Sequence, residues 1–278
     1  MTALTEPKID GHCHVLDPEN YPYRADVKYR PAGQEIGTEG QFRAVGEAYN
    51  VRHALLVGPN SGYGEDNSYL LDVIARGGGR YKGVAVVDND ASPERLAELK
   101  AKGIVGIAVN ATYHGVDYYR DIGPLIRRLE ALDMFLQVQV EGEQLLELLP
   151  LIEHSDVKLL VDHCGRPRAD LGLDRPGFAA LLALGRAGRG VIKLSGVQKI
   201  SLGRYPYEDA WPFVHALADS FGLQRCMWGS DWPFLRAPER LDYGPLLTLI
   251  ERLFPEPAAR RQVFWRTSAR LFGFAEAI

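Results

Sequence analysis

Eight short apolar, β-branched runs, each ending near a turn or polar residue, recur along the chain and set the tightest limit on its fold. They are KIDGHCHV (8–15), HALLVGP (53–59), KGVAVVD (82–88), GIVGIAVN (103–110), FLQVQVE (135–141), VKLLVDHC (157–164), GVIKLSG (190–196) and CMWGSDW (226–232). Between them lie segments with helical periodicity, among them SPERLAELKAKG, IGPLIRRLEALD and YEDAWPFVHALADSFG. Strands that alternate with helices argue for parallel βαβ units, and near-continuous apolar strands such as GVAVV and VKLLV suit a sheet covered on both faces. An open doubly wound sheet carries the same local signals. The count of eight, the length of 278 residues and the absence of a GxGxxG fingerprint after an early strand favour an α/β fold of the (β/α)8 TIM-type barrel class, as one domain over residues 1–278. Ser92 followed by Pro93 reads as a helix N-cap with proline at the first helical position, and Gly103 as the residue just past that helix. The connection over residues 16–40, rich in Tyr, Pro and Gly, is the candidate functional loop over the barrel mouth.

A net charge of −4 supplies no positive field for a polyanion, so nucleic acid is not an expected partner. No apolar run approaches the roughly 18 residues of a membrane span, and the N-terminus lacks the basic start and apolar stretch of a secretory signal. A cytoplasmic protein is expected, and a homo-oligomer is left open. Cys13, Cys164 and Cys226 form no CxxC pair and read as three reduced thiols.

Chemistry concentrates at the strand ends. His12 and His14 are two apart on the first run, so strand alternation puts both imidazoles toward the barrel interior, with Asp10 on the same face one step lower and Cys13 toward the helices. His163 closes the sixth run and Asp231 the eighth. Barrel enzymes collect their catalytic groups at the C-terminal strand ends, and strands one and eight are neighbours in a closed barrel. Three imidazoles and a carboxylate can hold one divalent metal or, equally, cradle a carbonyl oxygen. His53 begins a strand, His114 sits in a loop, and His154 and His215 lie in helical segments, so none of them joins the set.

Taken in order, DGHCHV, KYRP, VDHCGRP, KLSG and WGSDWP resemble the amidohydrolase superfamily, in particular the branch of 2-pyrone-4,6-dicarboxylate lactonases and related lactone hydrolases. The resemblance runs from about residue 8 to TSARLFGF. It implies a distorted barrel that opens a lactone, a cyclic ester of a carboxylated aromatic- or sugar-acid catabolite. Asp231 would be the general base that activates water, with His12, His14 and His163 polarising the carbonyl directly or through a metal. At most one divalent ion, zinc by preference, would be held by His12, His14, His163 and Asp231, and metal-independent catalysis is equally compatible. Tyr29, Arg166, Ser195 and Lys199 are the expected substrate-side residues, with Arg204 nearby at the mouth.

Departures from the pattern bear on the substrate. Ala108 stands where the pyrone dicarboxylate lactonases carry an arginine, Gln139 where they carry a tyrosine, and Lys199 where they carry a further arginine, which removes bidentate geometry. A dicarboxylate is therefore expected to be a poor substrate. No lysine lies in strands four or five to bridge two metals, and Glu141 reads as a polar group at a strand end. A metal-dependent decarboxylase of the same superfamily is the alternative enzymatic reading.

Overall fold

The computed structural model describes residues 1–237 and 239–275. Eight strands form one sheet in sequential order with every adjacent pair parallel. They are β1 Lys8–Cys13, β2 Val51–Val57, β3 Tyr81–Ala85, β4 Ile104–Asn110, β5 Phe135–Gln139, β6 Lys158–Val161, β7 Val191–Leu194 and β8 Cys226–Trp228. Each is followed by a helix on the outside: α1 Glu39–Ala48, α2 Ser68–Arg76, α3 Pro93–Ala101, α4 Gly123–Ala131, α5 Gln144–Ile152, α6 Pro176–Arg186, α7 Trp211–Phe221 and α8 Tyr243–Leu253. The ring closes between its first and last strands through two main-chain bonds, from the His14 amide to the Trp232 carbonyl (2.7 Å) and from the Asp231 amide to the His12 carbonyl (2.8 Å). The (β/α)8 barrel expected from the eight runs is the fold.

Local signals place the helices as read. The Ser92 hydroxyl accepts from the Arg95 amide at 3.2 Å, Pro93 occupies the first turn, and Gly103 follows with φ +94°, a conformation that disfavours a β-carbon. The long connection after β1 ends in a capping box, in which Thr38 accepts from the Gln41 amide and Gln41 returns the bond to the Thr38 amide.

Two expectations are corrected. The eighth strand is three residues long rather than seven, because the left-handed Asp231 turns the chain out of the ladder, and only an isolated bridge from Cys13 to Trp232 extends it. Asp10 does not share the inward face of His12. The pairing of β1 with β2 slips between Asp10 and Cys13, so the alternation changes phase there. Ile9 points inward with Leu55, Leu160 and Met227, whereas Asp10 accepts from Ser230 and from the Tyr243 hydroxyl (2.8 Å) on α8. Gly11 makes the slip possible, since a β-carbon there would stand 2.2 Å from Met227 Cε and 2.5 Å from the Trp228 carbonyl oxygen.

The barrel interior is layered. Ile9, Leu55, Val84, Phe135, Leu160, Val191 and Met227 fill its lower part, and the C-terminal segment caps that floor with Trp265, Phe272 and Phe274. Above the floor the inward positions turn polar, with Gln137, Asp162 and Lys193 all buried.

Candidate active site

The C-terminal strand ends surround a cavity of about 590 Å³ that contains His12, His14, His163 and Asp231. The Nε2 atoms of His12, His14 and His163 lie 3.7, 3.6 and 3.7 Å from one oxygen of Asp231, Oδ1. Its other oxygen accepts from Lys199 Nζ at 2.5 Å. His163 and Asp231 both sit in the left-handed region, at φ +49° and +63°, where a residue other than glycine is held at a cost of about 1 kcal/mol or more and must be fixed by its surroundings. For Asp231 that fixing comes from its own amide on the His12 carbonyl, so the carboxylate and the histidine are locked to each other through the main chain.

Each ring is aimed by the nitrogen that faces away from the centre. His14 Nδ1 donates to the Val57 carbonyl at 2.8 Å, which directs Nε2 inward. His163 Nδ1 is 3.0 Å from the Ser195 hydroxyl. His12 Nδ1 lies 3.2 Å from Asp162 Oδ1 and 3.0 Å from Lys193 Nζ, and its Nε2 is buried without a hydrogen-bond partner. Below these rings, Lys193 bonds Asp162 (3.0 Å) and the Gln137 carbonyl oxygen (2.6 Å), and the Gln137 amide donates to the second Asp162 oxygen at 2.8 Å.

The electrostatics follow from burial and these contacts. Burial, reinforced by the Lys193 cation, pulls the His12 pKa down to about 4, and burial above all keeps His163 well below its ordinary value. Burial by itself would raise the Asp231 carboxyl, but above all the Lys199 cation overcomes it and holds the group well below the usual carboxylate range. Neutral His12 and His163 rings therefore stand against an ionised carboxylate.

This donor set fits a small divalent cation. Ligand atoms about 2.0–2.1 Å from a tetrahedral centre are roughly 3.3 Å apart, close to the separations around Asp231 Oδ1, and His12 Nε2 is buried without a hydrogen-bond partner. His12, His14 and Asp231 form one compact group of possible ligands; His12, Asp162 and His163 form another that shares His12.

The expected substrate-side residues divide. Lys199 and Arg166 are on the cavity wall, Arg166 paired with Glu141 at 3.2 Å, and Ala108 and Gln139 line the same wall. Ser195 lies behind His163 rather than on the wall, and Tyr29 is also off it: its hydroxyl donates to Glu35 and its ring carries the Arg236 guanidinium. Arg204 is exposed and does not reach the wall. The sequence reading missed Lys193, Asp162, Gln137 and Arg236. A lysine in the apolar run VIKL and glutamines at alternate positions of FLQVQ were the available signals for two of them.

The amidohydrolase family profile matches residues 9–274. A 4-sulfomuconolactone hydrolase of Rhizobium radiobacter is 31% identical over 98% of this chain and 91% of its own length. A 2-pyrone-4,6-dicarboxylate hydrolase of Comamonas testosteroni is 25% identical over 95% and 89%. A crystal structure of an amidohydrolase from Burkholderia multivorans with bound zinc has a TM-score of 0.75 and 25% identity, covering 97% of this chain and all of that one.

Proposed function

The chain belongs to the amidohydrolase family, and from that premise we propose that it hydrolyses a lactone, with Asp231 as the general base. The observation that carries the reading is the division of labour within one carboxylate, whose Oδ1 faces three imidazole nitrogens while Oδ2 rests on Lys199.

Water placed against Asp231 gives up a proton to the carboxylate as its oxygen attacks the ester carbonyl carbon. The ring C–O bond then breaks, and the leaving alkoxide oxygen takes that proton back, so the product is a hydroxy acid and Asp231 is regenerated. Lys199 keeps the carboxylate ionised and oriented between turnovers. The imidazoles do a different job. His14 commits its Nδ1–H to the Val57 carbonyl, which turns Nε2 toward the centre, where an imidazole nitrogen can hold a cation. His12, His14, His163 and Asp231 are accordingly the residues that would hold a single zinc-like ion. Such an ion, when bound, polarises the lactone carbonyl and lowers the pKa of water.

The test pairs metal analysis of the purified protein with a pH-indicator screen of lactones on wild type and Asp231→Asn. Acid release by wild type, lowered roughly 10²–10⁴-fold in the variant, is the expected result. A variant that keeps more than about a tenth of the rate removes Asp231 from the base role.

A further inference from the structure

Leaving the imidazoles aside, the charges around the cavity cancel in pairs with one exception. Lys193 is matched by Asp162 at 3.0 Å, Lys199 by Asp231 at 2.5 Å and Arg166 by Glu141 at 3.2 Å. Arg236, on the loop after β8, also lines the cavity, and among the described residues no carboxylate lies within 4 Å of its guanidinium. It is not loose. Its amide donates to Glu35 at 2.5 Å, Glu35 also takes the Tyr29 hydroxyl, and the guanidinium lies over the Tyr29 ring at 5.5 Å from its centre. The backbone turns through φ +55° at Arg236 to present it there.

The geometry points to Arg236 as the residue that recognises a single carboxylate on the lactone, so that the preferred substrate carries one such group. The Tyr29 ring supports the guanidinium from one side at 5.5 Å, and with no carboxylate within 4 Å among the described residues its N–H groups can make two parallel hydrogen bonds to a planar carboxylate. A second carboxylate would find only cations already neutralised by Glu141 or Asp231. Ala108, on the wall, adds no charge. This inference rests on the lactonase reading for its substrate class, but not for the existence of the anion site.

The experiment compares wild type, Arg236→Gln and Arg236→Lys on a γ-lactone bearing one carboxylate and on its carboxamide. The quantity read is the ratio of kcat/KM for the acid to that for the amide. It is expected to fall about 10- to 100-fold in Arg236→Gln and to recover in part in Arg236→Lys, which restores charge without the fork. An unchanged ratio, or equal loss on both compounds, overturns the assignment. If wild type turns over neither compound, calorimetric titration with tetrahydrofuran-2-carboxylate and its amide decides the matter. Weakening of the acid relative to the amide by tenfold or more in Arg236→Gln keeps the anion site independently of the lactonase reading, which the screen of lactones decides, and equal affinities in wild type and variant remove the site itself.

Discussion

Replacing Lys193 with methionine tests how the polar layer beneath the imidazoles is held together. Lys193 and Asp162 are both essentially without solvent contact, and their charged atoms are 3.0 Å apart, which at an effective dielectric of about 20 is an attraction of roughly 5 kcal/mol. Most of that offsets the cost of burying the two charges. Methionine keeps the volume and removes the cation, leaving Asp162 with only the Gln137 amide at 2.8 Å and His12 at 3.2 Å. A buried carboxylate stripped of its cation costs about 3–5 kcal/mol. Urea unfolding of Lys193→Met, followed by tryptophan fluorescence at pH 7.5, should show a loss of that size. Adding Asp162→Asn should return part of it, because the uncompensated charge is then gone. The pH dependence has a definite sign. In wild type, burial raises the Asp162 carboxyl but Lys193 and His12 prevail and hold it below the ordinary range, so its contribution is present above the unfolded pKa of about 4 and is lost only on strong acidification. Without Lys193, burial wins, the folded pKa lies above the unfolded one, and the deficit of the variant shrinks as the pH is lowered from 7.5 toward 5. A loss below about 1 kcal/mol, or a double variant less stable than Lys193→Met, would refute the account.

Other positions give sharper local tests. Gly11→Ala should destabilise the barrel by about 1–3 kcal/mol, measured by thermal or urea unfolding, since its β-carbon would overlap Met227 and the Trp228 carbonyl where β1 changes phase. Ser195→Ala should leave the unfolding midpoint nearly unchanged and lower either zinc affinity or kcat by about 10–100-fold, because the hydroxyl at 3.0 Å orients the His163 ring; parallel equilibrium dialysis and kinetics would read this, and unaltered values in both would remove Ser195 from that role. Chelation of the purified protein should abolish lactone turnover, with activity returning on addition of one equivalent of zinc; full activity in the chelated protein would leave the imidazoles without their assigned function.

The barrel was legible because its signals are periodic. Apolar runs of strand length separated by helical segments announce themselves, and a parallel ring turns their C-terminal ends into one site, which is how His12, His14, His163 and Asp231 were found together. What periodicity conceals is a change of phase. The slip at Gly11 moved Asp10 from the expected inward face to a bond with Tyr243, and nothing in KIDGHC except the glycine signals it. Alternation could have placed Lys193 inside the barrel, but its partners come from strands 31 and 56 residues earlier in the chain, and such pairing is a tertiary fact. Arg236 and Tyr29 belong to irregular connections. There the residue type is readable and the direction of the side chain is not.

Load and recognition are separated along the barrel axis. The floor of Ile9, Leu55, Leu160 and Met227, sealed from below by Trp265, Phe272 and Phe274, lies off the cavity wall, while that wall includes residues such as Asn110, Gln139 and Arg236 at the outlets of different strands. A substitution at the rim leaves the packing of the floor unaltered, and most surface-like changes of that kind cost within about 0.5 kcal/mol. The scaffold can thus be refitted for another ring or another charge pattern one loop at a time.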